Sequence, residues 1–561
     1  MRIVDDLVES LRAFTPQERR NIAIYILGIM VYKFGLEAFN GSIIALATNR
    51  YDSEASRNRT PSRTFERVGL LTGLNQAFQC VGSILIGPLV KRYPTKNVLA
   101  CAVLVFGLCS ALLLIIDGAT GGTFMPAQFR GAGNHPQDEW PYYGTYNTDA
   151  MIPVYCVSGI AYGMVELIRR VIPRDIVGGN VQKLRKMDSI VHIFYEITGT
   201  AGAFITGLVL IPQLGNNMAF IITPVCFSIA ATMWFFVSEL NHRKATKPKR
   251  LSNARRPAYW RAAFHAIYLF GESIFVGARL LFTSRKFIWL VPGYAVALYA
   301  HRYLENGIAP QVARRYLGNS AWSQIMVGGS NLGELLGALC VLLFTNAIHT
   351  PIPWLRLDAL MLLITWYIPF WRPPAGQVGQ AWIVAATFTP ISFGWAAGDV
   401  SLAAYIQASL ARLESKNKNV SALGAVMAFL YSFYIVTYAI LGTVLGSYLD
   451  DVYNKTGGYE GGGRIDEGLV FTAGVQFTIV AVMVLAATFV PRGALSFNPK
   501  MLSEEKLDEE ERSVEGVDGV VEEHQMPEVV VVDKDFMAKK SSCISDDGSE
   551  PHVEKRVNEM L

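Results

Sequence analysis

The chain has 561 residues, of which 51% are hydrophobic and 17% charged, with a net charge of +4. An ordinary soluble domain is about 25% charged, so this composition excludes a typical soluble enzyme, and no nucleic-acid partner is expected. Its seven cysteines form no CxxC or Cys/His set, so no disulfide framework, metal or other cofactor is expected.

Met1–Arg20 is polar and contains no cleavable signal peptide, so the first apolar segment is its own insertion signal. Runs such as Val98–Ile116, Met218–Val237 and Val470–Val490 are apolar on every face. About 20 residues at about 1.5 Å rise cross a hydrocarbon core of roughly 30 Å. On this basis spans are placed near 22–48, 68–90, 97–116, 151–171, 187–211, 217–239, 286–306, 320–345, 355–371, 381–411, 421–448 and 468–491. The fold class is therefore all-α polytopic membrane protein, with about twelve transmembrane helices in two pseudo-repeated six-helix halves. Trp260–Phe282 is apolar too, but carries Arg261, His265, Glu272 and Arg279. It is expected to be an amphipathic helix along the membrane surface.

The domain limits that follow are a cytoplasmic N-terminus (1–21), a first half (22–239), a basic linker (240–285), a second half (286–491) and a disordered acidic cytoplasmic tail (492–561). Lys and Arg gather in the loops after spans 2, 4, 6 and 10. The positive-inside rule puts those loops and both termini in the cytoplasm. The loop after span 1 breaks the pattern, with Arg50, Arg57, Arg59, Arg63 and Arg67 on the outer side. Sequons at Asn58 and Asn454 fall in outer loops and are glycosylation candidates. The plasma membrane is favoured over a vacuolar or other internal one.

The chain repeats itself. Lys33-Phe34-Gly35-Leu36-Glu37 leads to Asn40-Gly41 in span 1, and Arg302-Tyr303-Leu304-Glu305 leads to Asn306-Gly307 in span 7. Span 4 has Gly163-Met164-Val165-Glu166, and span 10 has Gly398-Asp399. Spans 2 and 8 each pair an amide with a downstream glycine, Asn75 with Gly82 and Asn331 with Gly337 or Gly333. Parallel repeats of this kind enclose a site near the bilayer midplane.

Between spans 2 and 3, the stretch from Gly87 to Lys96 is similar to the G-x-L-x-D-R-x-G-R-K loop of the major facilitator superfamily. Gly87, Leu89, Arg92 and Lys96 match, Lys91 stands where the family has Asp, and Pro94 replaces its second Gly. Gly202 to Gly207 resembles a reduced form of the family's G-P-x-x-G-G and leans toward export. The overall look is of a fungal member. The resemblance implies a monomeric secondary transporter rather than an enzyme, with Gly87, Arg92 and Lys96 in a gating loop.

A charge at the bilayer centre costs about 2.5–3.5 kcal/mol on insertion scales, so it faces a cavity or a partner. The residues meeting this test are Lys33 and Glu37, Asn40 beside them, Glu166, the span 5 face of Asp188, His192 and Glu196, the pair Arg302 and Glu305, Glu334, and Asp399. Residues four apart share a helix face, and a histidine among acids suits a proton relay. Static ion pairs are the competing reading, above all for Glu166 near Arg169, and Asp188 also fits as a cap near Lys186. The function expected is alternating-access transport of a small organic solute coupled to protons. The alternatives are a non-transporting solute sensor on the same scaffold, or a lipid permease.

Overall fold

Each apolar run folds as a helix, because in hydrocarbon only internal hydrogen bonding satisfies the backbone. In the computed structural model these are α1 (Pro16–Asn58), α2 (Thr64–Arg92), α3 (Thr95–Ala119), α4 (Met151–Val177) and α5 (Val181–Ile205). A π-helical turn, Thr206–Leu210, and Ile211–Leu214 continue α5, and α6 (Ile222–Phe235) follows. After α7 (Tyr259–Thr283) comes α8, built from Val291–Val296, Ala297–Tyr303, Leu304–Ile308 and Ala309–Arg315, of which the first and third pieces are π-helical. Then follow α9 (Ser323–Phe344), α10 (Ile352–Leu362, extended as 3₁₀ by Leu363–Phe370), α11 (Val378–Ala411), α12 (Ala422–Lys455) and α13 (Gln476–Ala487). The structure describes residues 14–130, 140–177, 181–238, 259–344, 347–348, 350–411, 422–491, 493–496 and 499. The chain divides into two compact units, Met1–Leu507 and Asp508–Leu561, and the described residues all lie in the first.

α1 to α6 coincide with the expected spans 1 to 6 and α8 to α13 with 7 to 12, while among the described residues nine helices, α7 included, are long and apolar enough to cross a membrane by length and composition. The ninth span starts at Ile352 rather than 355, and α1 runs past the expected 48 to Asn58. Two large cores, one in each half, fill the bundle. Large apolar side chains such as Leu108, Ile115, Val436 and Ile479 point outward, which suits a lipid surround and not water.

The end where α1 begins is called near, the other far. A capping box starts α1: Thr15 Oγ1 accepts from Glu18 N at 3.2 Å, and Glu18 Oε2 accepts from Thr15 N at 2.8 Å. Lys183 then holds Glu18 at 2.8 Å, tying α1 to the start of α5.

α7 is long and apolar enough to cross a membrane by composition, yet its best window is only 11% buried. Tyr259, at its start, donates to Leu85 O near the close of α2 at 3.1 Å. Gly277 packs on Ala425 and Phe282 on Phe429, both near the start of α12. Since α8 sets out from the near end a few residues later, α7 begins and ends on one side of the bundle.

The two halves meet closely at the far end. Gly69 of α2 crosses α12 so tightly that a Cβ there would lie 2.3 Å from Gly442 O, and Gly446 is pressed against Phe65 O in the same way. Small residues at such crossings allow backbones to approach in the absence of a hydrophobic drive between helices.

Candidate functional site

Halfway along α1, Lys33 and Glu37 stand one turn apart and form an ion pair of 2.5 Å, with side chains 10% and 8% exposed. The Lys33 ammonium also sits 4.4 Å from the centre of the Tyr195 ring on α5, and the Arg169 guanidinium lies 4.2 Å from it. Tyr195 thus serves two cations at once, which is favourable because the ring quadrupole presents negative density. Gly199, one turn further along α5, makes room for this. A Cβ there would come within 2.5 Å of Lys33 Cε.

Glu196 is 3% exposed, and its Oε1 lies 3.9 Å from His192 Nδ1. Glu166 pairs with Arg169 at 2.6 Å. Asn40 accepts a hydrogen bond of 3.5 Å from Tyr155.

The second half mirrors this arrangement with a histidine in the place of Lys33. His301 stands one turn before Glu305 on α8 and is 1% exposed. Its Nε2 lies 2.5 Å from Glu334 Oε1 of α9 and 3.5 Å from Glu305 Oε1. Arg302 donates to Glu305 Oε2 at 2.8 Å, and Ser330 Oγ donates to Glu305 Oε1 at 2.7 Å. Ser392 of α11 joins Ser330 at 2.7 Å. The His301 ring stacks on Trp395, with centroids 5.5 Å apart and planes 19° apart. Glu305 falls in the π-helical turn Leu304–Ile308, and single π turns of this kind are frequent at functional sites.

The two clusters face one another across the interface of the halves. Lys33 and Glu196 both lie within electrostatic range of Glu334, and Arg302 lies within range of Tyr162 on α4. Gly199 is also close to the Asn331 amide, which joins α5 to α9 at this level. The arrangement is one layer of charge, built from α1, α4, α5, α8 and α9, with both signs present. Arg302 is its open member, 40% exposed while its partner Glu305 is 5% exposed. His301, Glu305 and Glu334 bring donor atoms within 4.8 Å of one another. These donors are already engaged with each other, with Arg302 and with Ser330, which makes the group a hydrogen-bonded acid–base set.

Of the other sequence candidates, Asp399 lies on α11 one turn beyond Trp395 and is partly buried. The Asp188 and Arg92 side chains lie outside the described residues. Lys96 donates to Val237 O at 2.7 Å and so closes the carbonyl end of α6. A Cβ at Gly87 would meet nothing within 4 Å, so no packing demands glycine there. The sequence reading missed His301, Ser330, Ser392 and Trp395. The i to i+4 spacing of His301 and Glu305, equal to that of Lys33 and Glu37, is the signal that would have found the histidine.

At the far end a second polar set joins the halves. Asp52 of α1, fully buried, accepts from Arg314 Nε at 2.5 Å, from Arg315 Nη2 at 2.9 Å, from Thr64 at 2.5 Å and from Tyr459 at 2.6 Å. Burial, with the Asp52 charge beside it, holds the Tyr459 phenol well above its ordinary value, so it remains a donor. Asp450 of α12 accepts from the backbone of Phe65 and Glu66 at 2.8 and 2.9 Å, capping α2 of the other half. Asn454 bonds Ser62 in both directions, accepting at 2.8 Å and donating through Nδ2 at 3.0 Å. A glycan on that nitrogen conflicts with this contact, whereas Asn58 is exposed. Three of the five arginines that broke the charge rule are also engaged: Arg50 donates to Gly144 O and Tyr146 O, Arg63 pairs with Glu66, and Arg67 lies 3.6 Å from Asp149.

The model of the Major Facilitator Superfamily matches residues 21–437. No curated protein matches the chain. Among solved structures, a D-xylose-proton symporter superimposes with a TM-score of 0.56 at 13% identity, covering 84% of this chain and 96% of that one. A bacterial homologue of the human drug peptide transporters PepT1 and PepT2 gives 0.53 at 12% identity, covering 87% and 99%. A peptide transporter, POT, in complex with sulfate gives 0.52 at 11% identity, covering 82% and 93%. The chain belongs to the Major Facilitator Superfamily.

Proposed function

We propose that this chain is a proton-coupled, alternating-access transporter of a small organic solute, which binds between the halves at the charged layer. The observation that carries the reading is the gathering of Lys33, Glu37, Glu196, His301, Arg302, Glu305 and Glu334 at one level, from both halves. Charges at this depth are expensive, and a static scaffold has no need of so many. Arg302 presents its cation to the space between the halves while Glu305 holds it from behind. An anionic group on the solute can take Glu305's place, and the released carboxylate then accepts a proton. His301 lies between Glu305 and Glu334 and can move that proton, since an imidazole accepts at one nitrogen and donates at the other.

The far-end contacts hold the path closed on that side, and rocking of 22–239 against 286–491 would open it. Lys and Arg in the near-end loops support a cytoplasmic near end. One chain contains both halves of the path, so a monomer suffices. The test is solute-stimulated proton movement in proteoliposomes, screened over organic acids, sugars, amino acids and peptides. A solute that dissipates an imposed pH gradient supports the reading. Solutes that bind without moving, in protein shown to be folded, contradict it.

A further inference from the structure

The transport reading leaves α7 unused. At about 3.6 residues per turn its exposed side chains sort into two faces. Trp260, Phe264, Tyr268, Phe275 and Phe282 form one, each between 56% and 71% exposed. Arg261, His265, Glu272 and Arg279, all exposed, form a row beside it. Among the described residues of α7, Ala263, Gly277 and Leu281 are the buried ones, on the remaining side, toward the bundle.

Five aromatic rings on one face do not suit water. The Phe282 ring lies 5.7 Å from that of Phe429, which lies 6.1 Å from that of Phe433. Phe433, Val436 and Ile440 continue along the exposed face of α12, so the aromatic face of α7 runs into the lipid-facing side of the bundle. The charged row gives the depth. In a helix crossing the membrane, Glu272 near the middle of α7 would stand in hydrocarbon, pointing away from the bundle. Along the membrane surface the whole row reaches the headgroups. The sign of those headgroups follows from the sequence. Seven of the fourteen residues 243–256, which lead into α7 and lie outside the described residues, are Lys or Arg, and none is acidic. A basic run beside an amphipathic helix attracts anionic lipid.

α7 is also pinned to both halves. Tyr259 donates to Leu85 O of α2 at 3.1 Å, and a Cβ at Gly277 would stand 2.1 Å from Ala425 O of α12. The helix between these pins is about 27 Å long at its ordinary rise and resists stretching. The near ends of α2 and α12 therefore keep one separation while both pins hold. We propose that α7 binds the anionic phospholipid surface of the near leaflet, and that this lipid, through the two pins, holds the near ends of the halves at the separation seen here. The binding stands on α7 alone, whereas its effect on the halves rests on the rocking of the transport reading.

The test needs no solute. The full chain is reconstituted in vesicles of phosphatidylcholine, alone or with added phosphatidylserine. Phe264→Cys and Phe275→Cys, each in a background without native cysteines, carry a fluorophore whose depth is read by quenching from lipids labelled at shallow or deep positions. The two sites are about 16 Å apart along the helix axis. Equal, shallow depths that increase together as phosphatidylserine is added are expected. Arg279→Gln should need about fivefold more phosphatidylserine for the same response. Spin labels at the exposed near-end positions Tyr93 and Phe344 report the separation of the halves. Phosphatidylserine should narrow that distance distribution in the parent chain and leave it unchanged in Gly277→Leu, whose side chain must push α12 away. If Gly277→Leu does not fold, Tyr259→Phe removes the other pin, with the same loss expected. Unequal depths, absence of quenching by lipid, or depths indifferent to phosphatidylserine overturn the lipid surface. A distance distribution that phosphatidylserine leaves unchanged in the parent chain overturns the effect on the halves. Solute-driven proton movement that persists alongside either result keeps the transport reading and removes only this one.

Discussion

Tyr195 shows how much a single ring does in the charged layer. It lies beneath Lys33 at 4.4 Å and beside Arg169 at 4.2 Å, and a cation over an aromatic face is worth about 0.5–2 kcal/mol depending on solvation. Tyr195→Phe keeps both contacts and should leave thermal stability in lipid nearly unchanged. Tyr195→Leu should cost about 1–2 kcal/mol, read from a shift in the unfolding midpoint. Equal losses in both variants would show that the hydroxyl, and not the ring face, is the group that matters. Which of the two sequons is free to take a glycan turns on another single residue. Because Asn454 uses its amide nitrogen on Ser62 O, glycan expressed on the chain should sit at Asn58. The gel shift on deglycosylation should vanish in Asn58→Gln and persist in Asn454→Gln. The sequence alone could list both sequons but had no means of separating them, since the difference is a contact across 392 positions.

At the scale of elements, the crossing of α2 and α12 and the Asp52 cluster join the two halves at the far end. Removing one partner of a buried ion pair costs about 3–5 kcal/mol, and about 5.5 kcal/mol reverses a two-state population from 1:99 to 99:1. Arg314 still pairs with Asp52 in Arg315→Met, so that variant should shift the chain only part of the way toward conformations open at the far end. Spin labels at the exposed positions Asn58 and Lys455, in a background without native cysteines, should report a longer mean distance. Gly69→Val should act in the same direction, because its side chain must push Gly442 away. Unchanged distances in both variants would show that the far end is held by something else. Sequence periodicity found these helices but not their clasp. Asp52 and Arg315 are surface-like residues by composition, and only the fold brings positions 263 apart into one ion pair.

For the molecule as a whole, hydropathy found the apolar runs that fold as helices, and with them the side chains Lys33, Glu37, Glu196, Arg302, Glu305 and Glu334, which the structure brings to one layer. These were legible because a charge in an apolar run stands out against its neighbours. His301 escaped for the opposite reason. It follows Ala300 and precedes Arg302, so the adjacent permanent charge drew the reading, and only stacking on Trp395 and the bond to Glu334 reveal its place. The position of α7 on one side of the bundle depends likewise on what it touches, since hydropathy alone cannot separate it from a crossing helix.

The central claim is that solute and proton meet at Glu305. Its most direct test compares two assays of one variant, Glu305→Gln, in proteoliposomes with a solute found by the screen. Exchange of labelled for unlabelled solute requires binding and rocking but no net proton movement, whereas accumulation against a gradient requires the proton. Glu305→Gln should retain exchange and lose accumulation driven by a pH difference. Full accumulation in that variant, with exchange intact, would contradict the account.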